Sequence, residues 1–185
     1  MINKKWLIGG TSLGVLLLVF AVGIVFTGGF NIALAWTNTE SFCTSCHEMQ
    51  NNFKEYKETV HNINRTGVRA TCPDCHVPHE FGPKMVAKIR AAKDVWHHLV
   101  GTIDTKEKYE DYRLTMAKRV WEKMKDTDSR ECRRCHVVDS MALDEQQGRA
   151  ARKHESMKES GKTCIDCHKG VAHELPQDYD ETEDI

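Results

Sequence analysis

The sequence predicts a mostly α-helical protein in three parts: a membrane-crossing segment, 1–36, a small exported domain, 37–176, and an acidic disordered tail, 177–185. Three observations predict it. No charged residue lies between Lys5 and Glu40. The pattern Cys-x-x-Cys-His occurs four times, at Cys43–His47, Cys72–His76, Cys132–His136 and Cys164–His168. Elsewhere the apolar residues recur at helical spacing, and no alternating strand pattern persists.

The run from Trp6 to Trp36 is apolar and rich in glycine, densest over Leu7–Phe26. About 20 such residues cross a bilayer as a helix, so this run spans with length to spare. Trp6 and Trp36 stand where interfacial aromatics belong, and Lys4 and Lys5 place the N-terminus in the cytoplasm. Ala33-Leu34-Ala35 resembles a signal cleavage site, but the apolar region of a signal peptide is only about 7–15 residues long. An uncleaved anchor is therefore expected, with Gly28-Gly29 marking the end of the embedded helix or a bend in it.

Two thiols spaced as in Cys-x-x-Cys can bond to the two vinyl groups of a haem, and the following histidine then falls under the iron as an axial ligand. The four copies use all eight cysteines: Cys43, Cys46, Cys72, Cys75, Cys132, Cys135, Cys164 and Cys167. Zinc would not need a histidine after every pair, and a redox dithiol is not normally repeated. Four covalent haem c groups are expected, with His47, His76, His136 and His168 as motif histidines. Haem c is attached outside the cytoplasm, so the domain after Trp36 is exported, and its first motif lies close to the membrane surface.

Only 8% of the residues are aromatic, so a domain this polar has a thin side-chain core. The haems are then the core, and the haem-free chain is not expected to fold. The formal charge of −1 omits the haem propionates, about eight carboxylates in all. No basic block suggests nucleic acid.

The motifs fall into two pairs. A lone histidine precedes the second motif of each, His61 before Cys72 and His154 before Cys164, and another follows it, His79 after His76 and His173 after His168. Thr71-Cys-Pro-Asp-Cys-His echoes Thr163-Cys-Ile-Asp-Cys-His. This reads as two copies of a di-haem unit. Irons need sixth ligands, so His61, His79, His154 and His173 are the distal candidates. His79 and His173 lie too near their own motifs to cap the same haem and should bind neighbours.

Between the pairs, Pro83 suits a helix start. Met85, Val86, Ile89, Ala92, Trp96, Leu99 and Val100 then keep helical spacing up to Gly101, and a second helix is expected over Lys106–Lys125. The motifs themselves should sit on helical turns and loops. Asp178, Asp180, Glu181, Glu183 and Asp184 make the tail acidic.

The runs Asn64–His79 and Thr163–His173, with Gly101–Thr105 and Glu131–His136, resemble the NapC/NirT family along essentially the whole chain. That family comprises membrane-anchored tetrahaem quinol dehydrogenases of the bacterial inner membrane that feed periplasmic reductases. The resemblance implies oxidation of menaquinol or ubiquinol near haem 1 and onward transfer to a periplasmic reductase of nitrate, nitrite or N-oxide type, or to a soluble cytochrome, in anaerobic respiration. It implies Met49 rather than His47 as a ligand of iron 1. It also implies a quinol site at Lys88 and Asp94. Quinol oxidation releases protons and needs an acceptor, which suits that pair. The two lie about 120° apart around an ideal helix, so they would flank a ring rather than stack. The plain alternative is a salt bridge from Asp94 to Arg90 or His98. His97 and His98 depart from the family pattern and read as surface residues, or as extra proton acceptors. A terminal reductase with an open iron, or an electron-storage cytochrome without quinol activity, are the competing readings. The oligomeric state stays open, a homo-oligomer included.

Overall fold

In the computed structural model the described residues are 4–180 and 182, without the side chains of residues 4–11 and 158. The expectations for the side chains of Lys4, Lys5 and Trp6, and for Glu181, Glu183 and Asp184, lie outside the described residues. The described residues are mostly helical and contain no strand.

Helix α1 (Lys4–Trp36) runs unbroken through Gly28 and Gly29, so these glycines do not end it. Its stretch Ser12–Trp36 has a mean hydropathy of 2.5 and none of it is buried against the rest of the chain. A helix apolar on all sides must be enclosed by protein or by lipid. Apart from Trp36 at its end, whose ring packs edge-on against Phe42, this one is exposed, and at 1.5 Å per residue its 25 residues span about 38 Å, more than a bilayer core.

The first motif follows at once, on α2 (Glu40–Cys43) and the loop after it, before α3 (Met49–Lys57). The second lies on α4 (Cys72–His76). Then come α5 (Phe81–Leu99) and α6 (Lys106–Asp126), the two long helices expected between the motif pairs. α5 begins two residues before Pro83, and Gly101, at φ +66°, turns the chain after it. Thr105 then caps α6 by accepting the Lys108 N–H. The third motif starts on α7 (Arg130–Arg133), α8 (Gly148–Glu155) and α9 (Met157–Ser160) follow, and the fourth is on α10 (Cys164–Cys167). The motifs thus occupy short turns of helix. The echo between motifs two and four is structural as well: Thr71 with Asp74, and Thr163 with Asp166, form the same capping box, each N–H donating over 2.7 Å.

α6 is the spine. Apart from prolines, the buried apolar side chains among the described residues are Tyr56, Tyr109 and Ile165. Tyr109, on α6, donates its hydroxyl to Asn52 of α3. One turn on, buried Arg113 donates to Glu55 of α3 over 2.6 Å and to the Glu174 carbonyl over 2.7 Å. Farther along, Lys125 pairs with Asp166 of α10 over 2.9 Å. Asp128 and Ser129 take left-handed φ values of 51° and 49° just after α6, a conformation unusual outside glycine, asparagine and aspartate. The turn folds motif three back onto motif four, and fully buried Ser129 accepts the Ile165 N–H over 3.1 Å.

Removing one partner of a buried ion pair strands the other, which costs about 3–5 kcal/mol. Arg113→Ala should therefore lower unfolding stability by about 3 kcal/mol. Lys108→Ala, which removes an exposed partner of Asp104, should cost under about 1 kcal/mol. Thermal unfolding followed by circular dichroism measures both, and equal losses would contradict this role for α6.

Candidate haem sites and their surroundings

Three motif histidines each face one of the other histidines. His61 and His136 have ring centres 6.2 Å apart, His76 and His173 6.2 Å, and His154 and His168 5.9 Å. A ring nitrogen lies about 2 Å from a bound metal and about 1.1 Å from its own ring centre, so two imidazoles on opposite faces of one iron have centres about 6 Å apart. Each pair therefore fits a single iron between its rings.

Two of the second nitrogens are consistent with that fit. His61 Nδ1 lies 3.2 Å from the Val171 carbonyl, and His154 Nδ1 lies 2.6 Å from Gln146 Oε1. Ligating histidines characteristically donate their other N–H in this way, which leaves Nε2 for the metal. Nδ1 of His173 is buried and has no hydrogen-bond partner. His76 is reachable by solvent although protein surrounds it, as befits a side chain lining a cavity with Cys75, Val120, Lys123, Met124 and Glu131. Burial, then the neighbouring His173 and Lys123, lower its pKa to about 4. Burial lowers His168 as well, with His154 and His136 adding to it, and burial lowers His173. Neutral imidazole is the form that binds metal.

The pairing crosses the two halves of the exported domain. His61 reaches motif three and His173 reaches motif two, whereas His154 faces the motif that follows it. His79 meets none of the motif histidines: its Nδ1 is in contact with the Arg134 guanidinium, and its Nε2 lies 3.7 Å from Asp74.

The thiols are strung in chain order. Cys43 and Cys72 share a hydrogen bond, which with the Lys88 charge lowers Cys43 to about 7 and raises Cys72. Cys75 is near Cys132 and Cys135, and Cys132 is near Cys164. Arg69 holds the segment before motif two on Glu40 of α2 through two short bonds, 2.5 and 2.6 Å.

The first motif differs from the rest. His47 is exposed, and its Nε2 lies 3.2 Å from the Asp104 carbonyl. Its ring centre is 5.8 Å from that of His98. His98 is not a bare surface residue: its Nδ1 lies 2.7 Å from Oε1 of buried Glu48. Burial alone would raise Glu48, but the His98 hydrogen bond and the adjacent His47 bring its carboxyl below the ordinary value. His97 turns to Thr102 Oγ1 at 2.9 Å.

Lys88 reaches the end of α1, donating to the Thr37 carbonyl over 2.5 Å, and partial burial lowers its pKa. Asp94 is exposed, and among the described residues it forms no ion pair. The His98 partner is Glu48, so the Asp94–His98 bridge is not formed. Asp94 lies one turn before His98 on the same side of α5. Glu48 and Asp104 are the site residues that sequence reasoning passed over, and His98 was singled out without its partner. Contacts 50 and 57 residues apart leave no local pattern to find.

The chain matches the profile of the NapC/NirT cytochrome c family, N-terminal region, over residues 8–178. It is 56% identical over 172 residues to the denitrification system component NirT of Stutzerimonas stutzeri, covering 92% of this chain and 86% of that one. Against the cytochrome c-type protein NapC of Escherichia coli (strain K12) the identity is 54% over 167 residues, covering 89% and 84%. No solved structure matches.

The ring pairs make distinct predictions for two histidines. His154→Ala should convert one low-spin iron to high-spin, whereas His79→Ala should leave the low-spin count unchanged. Electron paramagnetic resonance of the oxidised protein counts both, and a lost low-spin signal in the His79 variant would contradict the pairing.

Proposed function

The chain belongs to the NapC/NirT cytochrome c family, and on that footing we propose that it oxidises menaquinol or ubiquinol at the membrane surface and passes the electrons to a periplasmic reductase. The observation that carries this reading is Lys88, which links the end of the membrane helix to the first haem-attachment site. Its ammonium binds the Thr37 carbonyl, one residue past α1, and acts on the Cys43 thiol.

Each Cys-x-x-Cys-His motif holds one haem c in this proposal, four in all. A relative from Allochromatium vinosum, 53% identical over 170 residues, is described as of the tetraheme cytochrome-c type. The haem, when bound, supplies an iron that takes up and gives off one electron at a time. His76 with His173, His136 with His61, and His168 with His154 would hold irons two, three and four. Iron 1 would take Met49 in this proposal, as the family resemblance implies.

At the membrane end, Lys88 steadies a quinol oxygen. Asp94, exposed on α5 with no competing cation, accepts a proton as the quinol is oxidised. Release of that proton to the periplasm needs no further protein group, because Asp94 is already open to water. The N-terminus is cytoplasmic and the haem domain periplasmic. From there the attachment sites lead away in chain order, and the partner meets the domain near Cys164–His168. α8 borders that end and presents Arg149, Arg152 and Lys153 to solvent at helical spacing, opposite His154.

Asp94→Asn should cut quinol-driven reduction at least about a hundredfold, the low end for loss of a general base, and Lys88→Ala should weaken it too. Both should keep all haems and their reduction by dithionite. The assay is reduction of the detergent-solubilised protein by a quinol analogue with no partner present. Wild-type quinol oxidation by the Asp94 variant would remove Asp94 from the site.

A further inference from the structure

α5 is 19 residues long, and none of them is buried. Its sequence is amphipathic all the same. Phe81, Met85, Ile89, Ala92, Trp96 and Leu99 fall within an arc of about 80° on an ideal helix. Phe81, Ile89, Trp96 and Leu99 are 63–73% exposed. A contiguous exposed apolar stripe of this kind marks an interaction surface.

What α5 touches lies elsewhere on its circumference. Lys88 reaches the Thr37 carbonyl, and His98 reaches Glu48. Cys43 is within range of the Lys88 charge, and Cys46 lies beside His98. The midpoint between Lys88 and His98 is about 90° round the helix from the middle of the stripe. The first haem-attachment site therefore meets α5 on its flank, and the stripe faces away from it. Asp94 is nearly opposite the stripe, about 170° from its middle.

Two observations name the occupant. Thr37 is one residue past α1, so the Lys88 bond sets the middle of α5 level with the end of the helix that crosses the bilayer. The charges match as well. Lys84 and Lys88 border the stripe on one side and Lys93 on the other, Arg90 stands behind it, and Asp94 is the one acid in the helix. A cationic helix with a broad apolar face and a tryptophan in that face has the pattern of one lying in the plane of a membrane interface.

We propose that α5 is a second membrane contact, lying flat in the headgroup layer of an anionic bilayer with Phe81, Ile89, Trp96 and Leu99 among the acyl chains. The lysines at the borders of the stripe extend to the lipid phosphates. α1 alone leaves the exported domain free to swivel about one tether, and α5 fixes which side of it meets lipid. Asp94 then points to water. The inference rests on α1 crossing the membrane and not on the quinol site.

The test uses the full chain with all its haems in nanodiscs of phosphatidylglycerol and a phosphatidylcholine that carries a photoreactive diazirine within one acyl chain. Lipid adducts formed on irradiation are mapped by mass spectrometry. They are expected on α1 and on the stripe of α5, and not on α6. Ile89→Glu combined with Trp96→Glu should cut the α5 adducts at least about tenfold, as the loss of two large apolar side chains from lipid implies. The α1 adducts and the haem spectrum should stay unchanged. Replacing phosphatidylglycerol with phosphatidylcholine should lower the α5 adducts too. Adducts on α1 alone overturn the inference and leave the anchor standing, whether haem, a second copy or a partner protein then covers the stripe. Adducts on neither helix overturn the crossing of α1 and this contact with it. Adducts as strong at Arg90 as at Ile89, or undiminished by the double substitution, overturn the assigned face. Equal α5 adducts in the two lipid mixtures overturn the anionic preference.

Discussion

A domain with Tyr56, Tyr109 and Ile165 as its buried apolar side chains, prolines aside and among the described residues, cannot be held by hydrophobic burial alone. At about 1.5–3 kcal/mol for each large side chain, such a set falls far short of the conformational entropy of a domain this size. On the proposed reading, haem irons held between histidine pairs do the joining. His61 with His136, and His76 with His173, span 75 and 97 residues and connect the two halves of the exported domain. An iron between the rings of each pair closes loops that no packed core would close. The polar spine of α6, through Arg113 and Lys125, then orients what the irons hold together.

On the proposed function, the same arrangement gives electron flow its direction. Motif one is fixed to the end of the membrane helix through Lys88, and the thiols of successive motifs lie near one another in chain order. A quinol confined to lipid can reach only the first site, and a water-soluble partner most easily reaches the last. The unusual first site fits this division of labour. All four motif histidines have a second histidine whose ring centre lies 5.8–6.2 Å away, and motif one is set apart by buried Glu48, which holds Nδ1 of that second histidine, His98.

Local features of the fold were legible in sequence. The anchor, the two long helices and the motif turns follow from uninterrupted apolarity, helical spacing and the Cys-x-x-Cys-His pattern, all of which act over a few residues. The repeated Thr-x-x-Asp caps were visible as the echo around Thr71 and Thr163. The candidate distal histidines were recognisable by type and number, but not by partner. His154 faces the motif beside it while His173 crosses to motif two, a choice made by α6 and the left-handed turn at Asp128 and Ser129. His79 sits at a plausible spacing yet turns to Arg134 and Asp74. His98 looked like a surface residue because its partner, Glu48, is brought near only by the packing of α5 on the motif one loop. Gly28-Gly29, read as a helix end or a bend, does not end α1, since the surrounding apolar run favours an unbroken hydrogen-bonded helix in lipid.

The central claim is that histidine pairs from distant parts of the chain share irons and so build the domain. Iron positions from anomalous diffraction of the crystallised protein test it most directly. The account predicts four irons, three of them midway between the rings of His61 and His136, His76 and His173, and His154 and His168. An iron ligated by His79, or any of these three ring pairs without an iron between them, would contradict it.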